Sequence, residues 1–143
     1  MSGESIRVLS GYKSVQAATS TANGAYSAGA VTALSGTNMT ATEQGLPLLD
    51  FKIKVGAQTP AADGIVYVYR RNSDGTDQSP APSLTYERDY VANFQLAAVA
   101  ASTYYFYGAE NVDKEAAYYL KNENGEILTL ELLVRSRGYN VAA

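Results

Sequence analysis

Few side chains in this chain can carry covalent or metal chemistry. It has no Cys, no His and no Trp. Thiol nucleophiles, thiolate or imidazole metal sites, disulfides and the Ser-His-Asp or Cys-His arrangements are therefore excluded. Carboxylates remain. Glu87, Asp89, Glu110, Asp113 and Glu115 are the residues that can serve as a general acid and base. Nothing in their spacing sets two of them at the separation a glycosidase requires, and they read as surface groups near strand ends. The run Asn72-Ser73-Asp74-Gly75-Thr76-Asp77 offers oxygen ligands at alternating positions, as calcium favours. It lacks the later glutamate of an EF-hand loop and reads as a solvated strand connection. The expectation is a protein that is not an enzyme and has no cofactor.

Tyrosine carries the strongest signal. There are twelve tyrosines, three phenylalanines and no tryptophan. Tyr67, Tyr69, Tyr104, Tyr105, Tyr107, Tyr118 and Tyr119 fall within strand-like segments. Consecutive residues of a strand point to opposite faces, so one ring of each adjacent pair must face outward or into a contact. A tyrosine ring buries area while its hydroxyl stays satisfied, which suits a protein interface. These seven residues are the candidate interface. Three readings stay open for them: contact with a neighbouring subunit, a platform for sugars, and pairing between adjacent strands of the same chain.

The elements that must position these rings are strands. Phe51, Ile53 and Val55 alternate with Lys52 and Lys54, the period of a strand with one wet face. Residues 65–69 are apolar on both faces, as in a central strand or one whose outer face is covered. Tyr90, Ala92, Phe94 and Leu96 share a predicted face. Residues 104–107 form an aromatic strand ending at Gly108, and residues 118–121 form the next. Asn124-Gly125 predicts a hairpin into a final strand lined by Leu128, Leu130, Leu132 and Val134. That pattern fades after Arg137. Residues 6–9, 31–35 and 39–42 read as short strands, Gly11-Tyr12-Lys13 and Asn23-Gly24 as turns, and the alanines of 97–101 as a helical turn. Residues 17–30 are rich in Ala, Ser, Thr and Gly and bury little area against their ordering cost.

No segment carries a long amphipathic helical stripe. The 143 residues fit one domain with a real core. The expected fold is all-β, an antiparallel two-sheet, jelly-roll-like β-sandwich of about seven to nine strands. Residues 1–30 would form an N-terminal arm or extended segment and residues 31–143 the sandwich domain. An open barrel is the runner-up. The net charge of −3 lacks the basic footprint of a nucleic-acid binder. Arg70-Arg71 and Arg135/Arg137 read as strand-edge charges that block edge-to-edge aggregation. No run is long and apolar enough for a membrane span, so no membrane partner is expected. The start of the chain lacks the pattern of a signal peptide, and Asn38-Met39-Thr40 is read as a chance match to a glycosylation acceptor.

The order of segments resembles small β-sandwich virion proteins of tailed bacteriophages. The resemblance spans about residues 24–140. It rests on Asp50-Phe51 opening a strand after LPLL, the segment IVYVYRRNSDGTDQSPAP, the strand YVANFQL, a short aromatic strand and the ending YYLKNENGEILTLELLVRSRGYN. In that ending Lys121, Asn122 and Gly125 stand where relatives carry a strand with a Lys-Asn-x-x-Gly hairpin. The chain departs in its strongly aromatic residues 104–107 and in the segment GAENVDKEA that follows. The resemblance implies a structural component of a phage particle, most simply a capsid decoration or cement protein. Implied partners are the major capsid protein or other virion proteins and further copies of the chain, with a trimer favoured. The implied place is the virion, on the capsid surface, after synthesis in the host cytoplasm. The alternatives are a tail, baseplate or fibre-attachment subunit and a carbohydrate-binding module.

Overall fold

The structure, a computed structural model, describes residues 5–27 and 32–141. It is an all-β sandwich of two antiparallel sheets. The strands are β1 (Ser5–Leu9), β2 (Lys13–Thr21), β3 (Leu48–Val55), β4 (Ile65–Arg71), β5 (Tyr90–Gln95), β6 (Thr103–Glu110), β7 (Ala117–Glu123) and β8 (Leu128–Val141). The larger sheet runs β1-β8-β3-β6, with β2 also on β8. The smaller runs β5-β4-β7.

β8 organises the larger sheet because it is long enough to hold two strands along one edge. β2 pairs with its first half, Thr21 opposite Leu128 and Lys13 opposite Val134. β1 pairs with its second half, Leu9 opposite Arg137 and Ser5 opposite Val141. β8 therefore continues past the point where its apolar pattern fades, held there by β1. Gly11-Tyr12 does not reverse the chain; it joins two strands that follow the same edge. Within the expected arm, residues 5–9 and 13–21 are these strands, and residues 1–4 and 28–30 lie outside the described residues.

The core forms where the alternating faces meet. Phe51, Ile53, Leu128, Leu130, Leu132 and Val134 from the larger sheet are fully or almost fully buried. They face Val66, Val68, Phe94, Tyr118 and Leu120 from the smaller one. Each large side chain so buried contributes about 1.5–3 kcal/mol relative to exposure. β4 is the central strand of its sheet, as its two apolar faces predict.

Several local expectations are corrected. Asn124-Gly125 is not a hairpin, because β7 pairs with β4 and β8 with β3. It is a corner carrying the chain from one sheet to the other. Asn124 is buried there and stitches the corner to the β3–β4 loop. Its Oδ1 accepts from Ala61 N–H at 2.8 Å and its Nδ2 donates to Ala61 C=O at 2.9 Å. The strand expected over 39–42 is replaced by a single helical turn, α1 (Ala41–Gln44). A capping box closes it: Glu43 N–H donates to Thr40 Oγ1 at 3.2 Å, and Thr40 N–H donates to Glu43 Oε1 at 3.0 Å. Of the strand expected over 31–35, Val31 lies outside the described residues and Leu34–Gly36 form a 3-10 turn anchored by buried Leu34. The alanines of 97–101 form a non-helical turn in which Ala101 takes φ +54°. β6 runs on past Gly108 to Glu110.

Tyr90 also departs from its predicted face. Val68 opposes Ala92 but Tyr69 opposes Tyr90, so a bulge shifts the register between them. Ala92, Phe94 and Leu96 stay in the core, and Tyr90 turns outward with 49% exposure.

Candidate interaction surface

Strand alternation sorts the seven candidate tyrosines onto three places. Tyr118 points between the sheets and is fully buried, its ring 5.0 Å from that of Phe51. Burial pushes its hydroxyl up to about 12. Tyr104 faces inward beside the core, and its hydroxyl accepts from Ala97 N–H and from Ser102 Oγ, each at 2.9 Å. Tyr118 is thus closed to a partner and Tyr104 is partly buried, since the neighbouring positions 105 and 119 take the outward side.

Tyr67, Tyr69 and Tyr119 lie on the outer face of the smaller sheet, Tyr69 directly opposite Tyr119. There they join Tyr26 and Tyr90, which the sequence did not assign to the cluster. Ring centroids of Tyr67 and Tyr90 are 5.8 Å apart, and those of Tyr26 and Tyr69 are 5.9 Å apart. The chain covers part of this face itself. The Tyr26 hydroxyl donates to Ser83 C=O at 3.2 Å and to Glu87, and Lys121 pairs with Glu87 and with Glu123. Lys121 and Tyr26 hold the Glu87 carboxyl below its usual range. Burial works against the Lys121 charge, but the hydrogen bonds to Glu123 and Glu87 outweigh it and raise its pKa. Tyr69 keeps only 9% exposure. This face is largely filled from within the chain.

The outer face of the larger sheet is different. Tyr105 and Tyr107 stand side by side on β6, nearly parallel (12°) with centroids 6.0 Å apart, and are 51% and 58% exposed. Tyr12 meets Tyr105 edge-on at 6.2 Å. Behind the rings lies Asp50, a fully buried carboxylate on β3. Its Oδ2 accepts from Arg135 Nε at 2.8 Å, and its Oδ1 accepts from Arg137 Nε and from Gly108 N–H, each at 3.0 Å. Gly108 sits at φ +86°, a conformation glycine adopts without strain, where β6 bulges against β3. Burial alone would raise the Asp50 pKa. The two guanidinium hydrogen bonds and the Gly108 amide overcome it and hold the carboxyl below its usual range.

Arg135 is held by the rings as well. The Arg135 guanidinium lies 4.9 Å from the Tyr12 centroid and 5.7 Å from that of Tyr107. The Lys52 ammonium lies 4.4 Å from the Tyr12 ring. Tyr139 (68% exposed) and Leu9 (46%) extend the same face along β8 and β1. Arg135 and Arg137 are thus not strand-edge charges. β8 is paired on both sides, and its alternation sends both guanidinium groups to one outer face above Asp50. The sequence signal for this was present: two arginines at i and i+2, and an acid at the head of the strand, in step with Lys52 and Lys54.

The other sequence candidates are engaged locally. Asp74 Oδ1 accepts from Thr76 and Asp77 N–H at 2.8 and 2.7 Å, closing its own turn. Asp89 accepts from Asn72 Nδ2 at 2.7 Å, and Glu115 accepts from Ser35 Oγ at 2.9 Å. Among the described residues, no three acidic side chains gather as metal ligands would.

No protein-family model, no curated protein and no solved structure matches the chain.

Proposed function

We propose that this chain is a non-enzymatic structural protein of a bacteriophage particle, a capsid decoration or cement protein that docks on the head and stabilises neighbouring capsomers. Its placement in a phage particle rests on the order of sequence segments described above. The adhesive role rests on one observation: the exposed stacked rings of Tyr105 and Tyr107 above arginines pinned to buried Asp50. Tyrosine and arginine dominate the energetics of protein interfaces, and side chains already ordered lose little entropy on docking. A rigid sheet presenting such rings suits adhesion to a large surface.

The N-terminal 30 residues join this role through Leu9 and Tyr12, which lie on the same face. A jelly-roll-like wrapping of the chain is supported by its change of sheet at β3–β4, β5–β6, β6–β7 and β7–β8. The head partner is the major capsid protein, and the docked form is a trimer. A tail, baseplate or fibre-attachment role uses the same face and differs in particle symmetry. A carbohydrate-binding role is favoured by one feature, the nearly parallel exposed pair Tyr105–Tyr107.

Two measurements test the reading. Imaging of purified particles should place the chain on the shell at three-fold or dispersed positions, and native mass in solution should give a trimer. Ring or fibre symmetry would move the chain to the tail. A monomer that binds glycans through Tyr105 and Tyr107 and is absent from particles would overturn the virion role.

A further inference from the structure

The cluster around Asp50 carries more positive charge than it neutralises. Lys52 and Arg135 gather at the Tyr12 and Tyr107 rings, Arg137 shares Asp50 with Arg135, and Asp50 is the one carboxylate ion-paired to any of these three cations among the described residues. Lys54 is balanced differently, since Glu131 stands opposite it in register. Glu110 flanks the cluster beyond Leu48 without a salt bridge among the described residues. This local excess runs against the net charge of the whole chain, which is −3. Like charges held close together cost free energy unless a counter-charge arrives.

Asp50 engages both arginines through Nε. Their terminal amino groups make no hydrogen bond among the described residues, while their side chains keep 21% and 29% exposure. A guanidinium fork oriented on one side and open on the other is preorganised for a carboxylate. Beside Arg137 the surface dips into a recess of about 210 Å³, walled by Pro47, Leu48 and Tyr139. The recess therefore combines one cationic wall with apolar and aromatic ones.

We propose that the face formed by Lys52, Tyr107, Arg135 and Arg137 is the docking site for an acidic segment of a protein partner, one carrying glutamate or aspartate next to apolar side chains. The carboxylates meet the open guanidinium groups and Lys52. The apolar side chains enter the recess beside Tyr139 and cover the tyrosine rings. This deepens the docking role proposed above and rests on it for the partner's place in the particle.

The test uses the full chain and a short fluorescein-labelled peptide of alternating glutamate and leucine, with a glutamine–leucine peptide as control. The acidic peptide should bind, weaken as ionic strength rises, and exceed the control by about tenfold or more. Lys52→Glu and Tyr107→Ser leave both Asp50 ion pairs in place, so they should fold normally, and each should weaken binding by about tenfold. Arg137→Gln should weaken it at least as much. Equal binding of the two peptides, or unchanged binding by Lys52→Glu and Tyr107→Ser, overturns the proposal. So does tighter binding of inorganic tripolyphosphate to the same residues, which would make the face a phosphate site. Particle binding measured in parallel separates the two readings. Particle decoration without peptide affinity overturns the acidic-segment site alone. Peptide affinity without decoration overturns the virion role alone.

Discussion

Asp50 on β3 and Arg135 on β8 are 85 residues apart in the chain, yet Oδ2 of the first lies 2.8 Å from Nε of the second. The carboxylate is fully buried under the side chains it holds. Two adjacent strands of the larger sheet are thereby tied at the point where the exposed tyrosine rings stand. A buried acid with two arginine partners is costly to break from one side, because the remaining charges lose their counter-charge.

Asp50→Asn removes the counter-charge of both arginines while keeping the shape. It should destabilise the fold by about 3 kcal/mol. Thermal unfolding should then occur about 10 °C lower. A melting temperature equal to that of the parent would mean that the pair adds nothing to stability.

The ionisable groups define a plateau of stability with two edges. Asp50 and Glu87 titrate lower in the folded chain than in the unfolded one. Their contribution is complete above about pH 5.5 and is lost as the pH falls through their folded values. Lys121 is raised, and Tyr118 is pushed up to about 12. The folded chain holds these protons more tightly, so their contribution is complete below about pH 10 and is lost as the pH rises further. Urea midpoints measured across pH should be flat between these edges and fall on both sides. A midpoint that rises above pH 10 would contradict the burial of Tyr118.

The tyrosines should separate into two classes. Tyr105→Ser with Tyr107→Ser removes two exposed rings and should change stability by no more than about 0.5 kcal/mol per site, while abolishing attachment to particles. Tyr118→Ala empties a closed site in the core and should cost about 3–5 kcal/mol. Denaturation curves and particle sedimentation, read together, check both halves.

Gly64 packs directly against the backbone of the β7–β8 corner. A Cβ placed there would lie 2.6 Å from the Asn124 carbonyl oxygen and 2.7 Å from the Asn124 Cα. Gly64→Ala should force the β3–β4 loop away from the corner and cost about 1–3 kcal/mol. An unchanged urea midpoint would show that the corner yields freely.

What the sequence determined by itself was the facing of residues within strands. The alternation of Leu128, Leu130, Leu132 and Val134 predicts the buried face of β8, and adjacent tyrosines at 104–105 and 118–119 do point to opposite sides. Side-chain direction has a period of two along any strand, so it can be read without knowing the partner strand. Which strands become neighbours is a property of the whole chain. Asn124-Gly125 has the composition of a hairpin, yet it joins two sheets, because β7 pairs with β4 and β8 with β3. Tyr90 is turned outward by a bulge that shows only in the register with β4. The gathering of Asp50, Arg135 and Arg137 needed β3 and β8 side by side. Long-range pairing decides such meetings, and local pattern carries no record of it.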